Sequence, residues 1–420
     1  MTLLRFARQR TRAFLAEIAN VAQSEFPYSD SKEALQLIEA AIIELSDQLD
    51  QFDDKSDPAT VRLTCSISLR ALFLFLPVLG FILRSTNVRN GFEVWRPLLR
   101  LSRQILEPEP TTGEHKTRLV LSSEWVYSPF IYAEVPALNN FVFIGFPATE
   151  SANPLIVPLA GHEIGHSLWI SSNGVTRYKK HIHDCLISIL ERRLGDFKNA
   201  IQKQDLTVKD ISENMFVIQT WAPTVFWTEK QAEESFCDFV GLRLFGAGYF
   251  FAFAYLLSPS VGGKRSYRYP NLRKRIKNLV AAAGRYGIKV PSDYEQQFED
   301  FEQAEGTRTD LFLLEVADEC LQTTIPTLID DADNLLSTRS VPTPSSDEIR
   351  RIVDSFRRVV PATRARSVAD ILNAAWDASE DVDLWKGIPT IEDDREVVLR
   401  ELVLKNFEVL DIENTLGAVK

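Results

Sequence analysis

Asn153-Pro-Leu-Ile-Val-Pro-Leu-Ala-Gly-His-Glu-Ile-Gly-His-Ser-Leu-Trp169 is the stretch from which the rest of the chain can be ordered. Asn153 can cap a helix, and Pro154 and Pro158 are tolerated in or near a first turn, where amide donors lack partners anyway. On that helix His162 and His166 stand four residues apart and share one face, so both imidazoles can reach a single ion. Glu163 sits about 100° round the helix, beside such an ion rather than on it. That position suits a general base acting on a zinc-activated water. The alternative is a pair of helix histidines satisfied by hydrogen bonds, and a third ligand decides between them. Catalytic zinc needs three protein ligands and one open position.

The extended HExxHxxGxxH pattern does not supply that ligand, because Trp169 and Ser172 occupy its last two positions. Downstream, Thr228–Gly246 reads as a second helix, opened by a Thr228/Gln231 capping box and ended by Gly246. Within it Glu234 and Asp238 are four apart on one face. One carboxylate can ligate zinc while the next accepts the free N–H of a ligand histidine.

HExxH followed by a helix carrying ExxxD resembles the gluzincin class of zinc metallopeptidases. The resemblance implies His162, His166 and Glu234 as zinc ligands, Glu163 as base and Asp238 as the orienter of a ligand histidine. It covers about Phe141–Leu279. Tyr269-Pro-Asn-Leu-Arg-Lys-Arg-Ile is similar to the His-Pro-x-x-x-x-Arg-Ile segment of the M48-like branch, with Tyr269 where that branch has His. Tyr269 is therefore the candidate catalytic donor to the oxyanion; Tyr267, Arg268 and Arg273 are its rivals. Other rival ligands are His181 and His183, read as a surface turn, and Cys237, read as a small buried hydrophobe on the other face of the helix. Glu233 lacks a partner four residues on, and its removal is expected to matter little. The resemblance implies a peptide or protein substrate. A zinc-binding but catalytically silent interaction protein, or a hydrolase of a non-peptide amide, stays open beside it.

Outward from the motif, 420 residues suffice for a full core. Hydrophobic residues at 45% and charged residues at 25% exclude disordered, collagenous and coiled-coil chains. A net charge of -11 argues against a nucleic-acid partner. Four cysteines without a CxxC pair read as reduced thiols of a cytoplasmic protein. The first residues form a basic amphipathic stretch without a secretory h-region. The apolar runs Ala71–Leu83 and Phe245–Leu257 are shorter than the about 20 residues a bilayer requires, so they read as core helices and no transmembrane segment is expected.

The first hundred residues read as helical, with Asp57-Pro58 as a cap, and 107–113 as a turn-rich break. Arg118–Pro147 reads as two or three short strands, of which Asn139–Pro147 is either a core strand or an edge that could pair with an extended substrate. Between Phe239 and Ser292 lie ten bases and no acid; between Asp293 and Ser340 lie thirteen acids and two bases. Such blocks either face each other or form solvated faces. The expected fold is α+β and mainly α: a zincin-like core with a small antiparallel sheet and extensive flanking helices. Its expected parts are an N-terminal helical region (1–113), the catalytic core (114–290) and an acidic C-terminal helical region (291–420).

Overall fold

Apolar residues at helical spacing build the first hundred residues into four helices: α1 (Thr2–Val21), α2 (Ser29–Asp50), α3 (Pro58–Ser85) and α4 (Phe92–Leu106). The computed structural model describes residues 2–53, 55–86, 92–107, 116–125, 135, 137–150, 152–259, 263–298, 302–388, 391 and 394–417. Most of the expected break at 107–113 lies outside these. Asp57 caps α3 as its sequence implies, accepting the Thr60 amide at 2.9 Å.

Two compact units divide the chain, Met1–Arg103 with Glu107–Pro154, and Gln104–Leu106 with Leu155–Lys420. The division falls near 154, whereas the sequence suggested boundaries at 113 and 290. The strands pack with the N-terminal helices, and the acidic helices pack with the motif helices.

In the first unit, β1 (Arg118–Glu124) and β2 (Phe141–Pro147) pair in register, Arg118 opposite Phe141 and Glu124 opposite Pro147. The pairing is parallel, which corrects the antiparallel expectation. The connection 125–140 is long enough for a crossover, where a hairpin would need a tight turn. Both strands are buried over six consecutive residues, as parallel strands covered on both faces are. Val120 and Phe143 join Ile18, Ile38, Ile42 and Phe81 in one cluster, so β2 is a core strand of this unit.

Helix α3 is longer than the apolar run that marks it. It spans 28 residues with a mean hydropathy of 2.1 over its most apolar window, long and apolar enough to cross a membrane by those two measures alone. The apolar run Ala71–Leu83 read from the sequence is only its C-terminal half. Polar residues and Arg62 and Arg70 interrupt the apolar run on the N-terminal side of Ala71 without breaking the helix.

The second unit contains α5 (Ala160–Ser171), α6 (Gly174–Arg192), α7 (Leu194–Ile201), α8 (Val208–Glu213), α9 (Met215–Phe245), α10 (Ala247–Leu257) and α11 (Leu272–Tyr286). Then follow α12 (Arg308–Thr338), α13 (Ser346–Arg357), α14 (Val368–Glu380) and α15 (Arg395–Gly417). The short strands β3 (Gly263–Lys264) and β4 (Glu302–Gln303) also pair in parallel. Helix α9 is the axis, packed against α5, α6, α11 and α12. The two charge blocks do face each other. Lys274 and Arg265 reach Asp318, Arg285 reaches Asp330 at 2.9 Å, and Arg243 reaches Asp333 at 2.6 Å.

Candidate metal centre

The first turn before the motif helix is a 3-10 segment, Pro154–Leu159, and the α-helix proper starts at Ala160. Two prolines within five residues favour that tighter start. Asn153 turns its amide to Glu150 at 2.9 Å rather than capping α5. Helix α9 begins at Met215, capped by Asn214, not at Thr228. The Thr228 hydroxyl donates back to the Thr224 carbonyl at 2.9 Å, so the expected capping box is an interior turn. Gly246 ends the helix as expected, at a φ of +57°.

Glycines let α5 and α9 approach. A Cβ built on Gly165 would lie 2.8 Å from the Cys237 Cα, and one on Gly161 would lie 2.9 Å from the Gly241 Cα. Both obstacles are backbone, so neither can swing aside. Gly165→Ala is expected to cost about 1–3 kcal/mol in a urea titration and to weaken metal binding. An unchanged denaturation midpoint would show that the helices do not rely on this contact.

That crossing brings His162, His166, Glu234 and Asp238 together, with Glu163 beside them, all buried. The His162 Nδ1–H donates to Asp238 Oδ1 at 2.9 Å, the partner expected from the helix register. The His166 Nδ1–H donates to Glu233 Oε1, also at 2.9 Å. Glu233, whose removal the sequence reading expected to matter little, is thus the partner of the second histidine. Each ligand histidine needs its own acceptor, and two histidines require two. Counting acceptors would have found the second one. Lys230 holds the other Glu233 oxygen at 2.7 Å.

With both Nδ1 atoms engaged, the Nε2 atoms remain. His162 Nε2 lies 3.2 Å from Glu234 Oε2, and His166 Nε2 lies 3.9 Å from Glu234 Oε1. Ligand atoms around a tetrahedral zinc stand about 3.3 Å apart. Glu234 Oε2 is buried without a hydrogen-bond partner. A buried carboxylate oxygen left so costs free energy unless a cation meets it. The donor set therefore fits a divalent cation held by His162, His166 and Glu234.

Cys237 is the rival donor. Its thiol and the two histidines place one ligand atom each within 4.8 Å of one another. It faces α5 across Gly165, not the opposite side of the helix as expected. Burial, then the surrounding carboxylates, pushes its thiol well above the usual range, so without a cation it stays a neutral thiol. His181 and His183 lie exposed on α6, where a turn was expected, and His183 packs on Trp221.

Burial lowers the His162 pKa, but the hydrogen bond to Asp238 and the adjacent Glu234 carboxylate outweigh it and, with no cation bound, hold it up at about 10. A cation bound at Nε2 thus replaces a proton. Burial raises the Glu163 carboxyl, with the two histidines pulling it partly back. Asp238 is raised by burial but is carried well below the usual range by Arg275, which chelates both its oxygens, and by His162. The Tyr249 hydroxyl adds a bond to Asp238 at 2.8 Å. Neither Arg275 nor Tyr249 was singled out from the sequence. Arg275 is the arginine of the Tyr269–Ile276 segment and carries the signal; Tyr249 sits in an apolar run and carries none.

Tyr269 is 44% exposed, its ring 5.8 Å from the Arg275 guanidinium. The charge on Glu234, then burial, pushes its hydroxyl up to about 12. It stays a donor at neutral pH. Of its rivals, Tyr267 is committed elsewhere, its hydroxyl donating to the Glu305 carbonyl at 3.0 Å.

If both acceptors orient their histidines, Asp238→Ala and Glu233→Ala should each weaken metal binding by ~10- to 100-fold. A competition titration with a chromophoric chelator reads both. Undiminished affinity in Glu233→Ala would reduce its bond to His166 to packing. The chain matches no family model, no curated protein and no solved structure.

Proposed function

We propose that the chain is a zinc-dependent metallopeptidase, with His162, His166 and Glu234 holding the metal. One observation carries the reading. Both histidines spend Nδ1 on a carboxylate and turn Nε2 toward the Glu234 carboxylate, His162 to Oε2, which is buried without a hydrogen-bond partner, and His166 to Oε1 at 3.9 Å. Hydrogen-bonded surface or core histidines have no need of that third carboxylate. Zinc in such a site supplies Lewis acidity and brings the pKa of water toward neutrality.

Around it, the chain's own groups divide the work. Glu163, its carboxyl raised by burial, takes the proton of the attacking water and can return it to the leaving amine. Tyr269 donates its O–H to the oxygen on which charge develops. Asp238 and Glu233 keep the imidazoles in the tautomer that leaves Nε2 free. The choice of a peptide bond rests on the likeness of HExxH with ExxxD to gluzincins. Elemental analysis of the purified protein tests the metal, with one equivalent of zinc expected and a loss in His166→Ala. A search for new protein termini, with holo and metal-stripped protein added to a cell extract, tests the substrate class. Absence of zinc, or no termini above the stripped control, refutes the reading.

A further inference from the structure

Helix α3 is apolar on both sides. Its inner side carries Cys65, Phe75, Leu79 and Ile82, all buried, and beyond Leu74 the outer row is covered as well, at Phe81. Ser68 and Ser85 tie that side to Thr11 of α1 at 3.1 Å and to Ser31 of α2 at 3.0 Å. The outer side exposes Leu63 by 62%, Ile67 by 46%, Phe73 by 71% and Leu74 by 41%. Leu63, Ile67, Arg70 and Leu74 follow at i, i+4, i+7 and i+11, one continuous row, with Phe73 at its flank. Exposed apolar residues scattered singly are ordinary; a contiguous row marks a binding surface. Helix α10 is more apolar still and buries Phe250, Phe253 and Leu256.

Charge selects what covers the row. Helix α3 contains Arg62, Arg70 and Arg84 and no acid. Helix α1, packed along it, contains Arg5, Arg8, Arg10 and Arg12 before its first acid, Glu17. Arg5, Arg10, Arg62 and Arg70 are exposed and make no ion pair among the described residues. A second copy of this face would set like charges against each other. An anionic lipid surface accepts both the apolar row and the arginines.

We propose that the outer face of α3 docks peripherally on an anionic membrane. The helix lies in the interface plane, with Leu63, Ile67, Phe73 and Leu74 at the acyl boundary and Arg62 and Arg70 at the phosphates. Crossing the bilayer instead would strip the inner face from α1 and α2 and break the two buried serine bonds. The proposal stands apart from the hydrolytic reading, since no residue of the metal centre enters it.

Co-sedimentation of the full chain with phosphatidylcholine vesicles, with and without phosphatidylserine, tests it. Binding is expected to the anionic vesicles above the neutral ones, and Phe73→Asp or Leu63→Asp should lower it at least about tenfold. Both positions are exposed, so circular-dichroism melts of the variants should match the parent. No sedimentation with anionic vesicles overturns the proposal, as does equal binding to neutral ones or undiminished binding by both variants. A dimer that dissolves in Phe73→Asp, without vesicle binding, would assign the face to a second copy and likewise overturn it.

Discussion

Glu163→Gln is expected to retain full zinc content and an unchanged melting midpoint while losing peptide hydrolysis by at least ~100-fold. The glutamine amide is nearly isosteric with the carboxyl it replaces but cannot accept the proton of the attacking water. The carboxyl is well prepared for that task. Burial raises its pKa, and His162 and His166 pull it partly back. Zinc content is the control, because Glu163 lies beside the proposed ligands rather than among them. Retained turnover in the variant would remove Glu163 from the mechanism. Loss of zinc together with activity would mean that Glu163 ligates, and that the division between Glu163 and Glu234 must be redrawn. A catalytically silent zinc protein would show metal in both forms and activity in neither.

The second large effect concerns Arg275, whose removal should cost ~3–5 kcal/mol of stability, the range for stranding one partner of a buried ion pair. Asp238 is 1% exposed and Arg275 chelates both its oxygens. In Arg275→Ala the carboxylate keeps only His162 and Tyr249. The effect carries a pH signature. The folded pKa of Asp238 is depressed, so its stabilisation is present above the unfolded value of about 3.9 and is lost as pH falls through the lower folded value. Without Arg275, the carboxyl should protonate at higher pH, and the acid limb of the stability profile should move up. Urea titrations at several pH values for parent and variant read both effects. The Arg275→Ala/Asp238→Ala double variant should lose less than the two single losses added, because no charge is then stranded. A variant with the parent's midpoint at every pH would show the pair to be energetically idle.

How far the site could be read from the chain follows from the range of each interaction. His162, Glu163 and His166 share one helix, and Glu234 and Asp238 share another. Spacing along a helix is a local property, and it placed each pair on a common face. The Asp238–His162 bond was also accessible, because a ligand histidine requires an acceptor and the register offers one. Glu233 was passed over because it was judged against its own helix. Its partner, His166, lies on the other one, and only the crossing of α5 over α9 aims the two together. Cys237 was assigned to the wrong side for the same reason. The crossing itself depends on Gly161 and Gly165 meeting the backbone of Gly241 and Cys237, a contact between segments more than seventy residues apart.

By itself, then, the sequence determined what is local: the helical character of the chain, the Asp57 cap, the Gly246 stop, and the two motif pairs with their spacing. The facing of the basic and acidic blocks was one of two readings it left open. Tertiary structure decided the rest. The parallel pairing of β1 and β2 depends on a long connection, whose path no pattern of alternation encodes. The start of α3 at Pro58 follows the Asp57 cap, but the continuation of α9 back to Met215 overrode a plausible cap at Thr228. A cap contributes only about 1 kcal/mol, and burial of Val217 and Trp221 on the inner side of the added turns outweighs it. Candidate ligand histidines can be named from a motif. The acceptors that hold them are set by which helix lies across them.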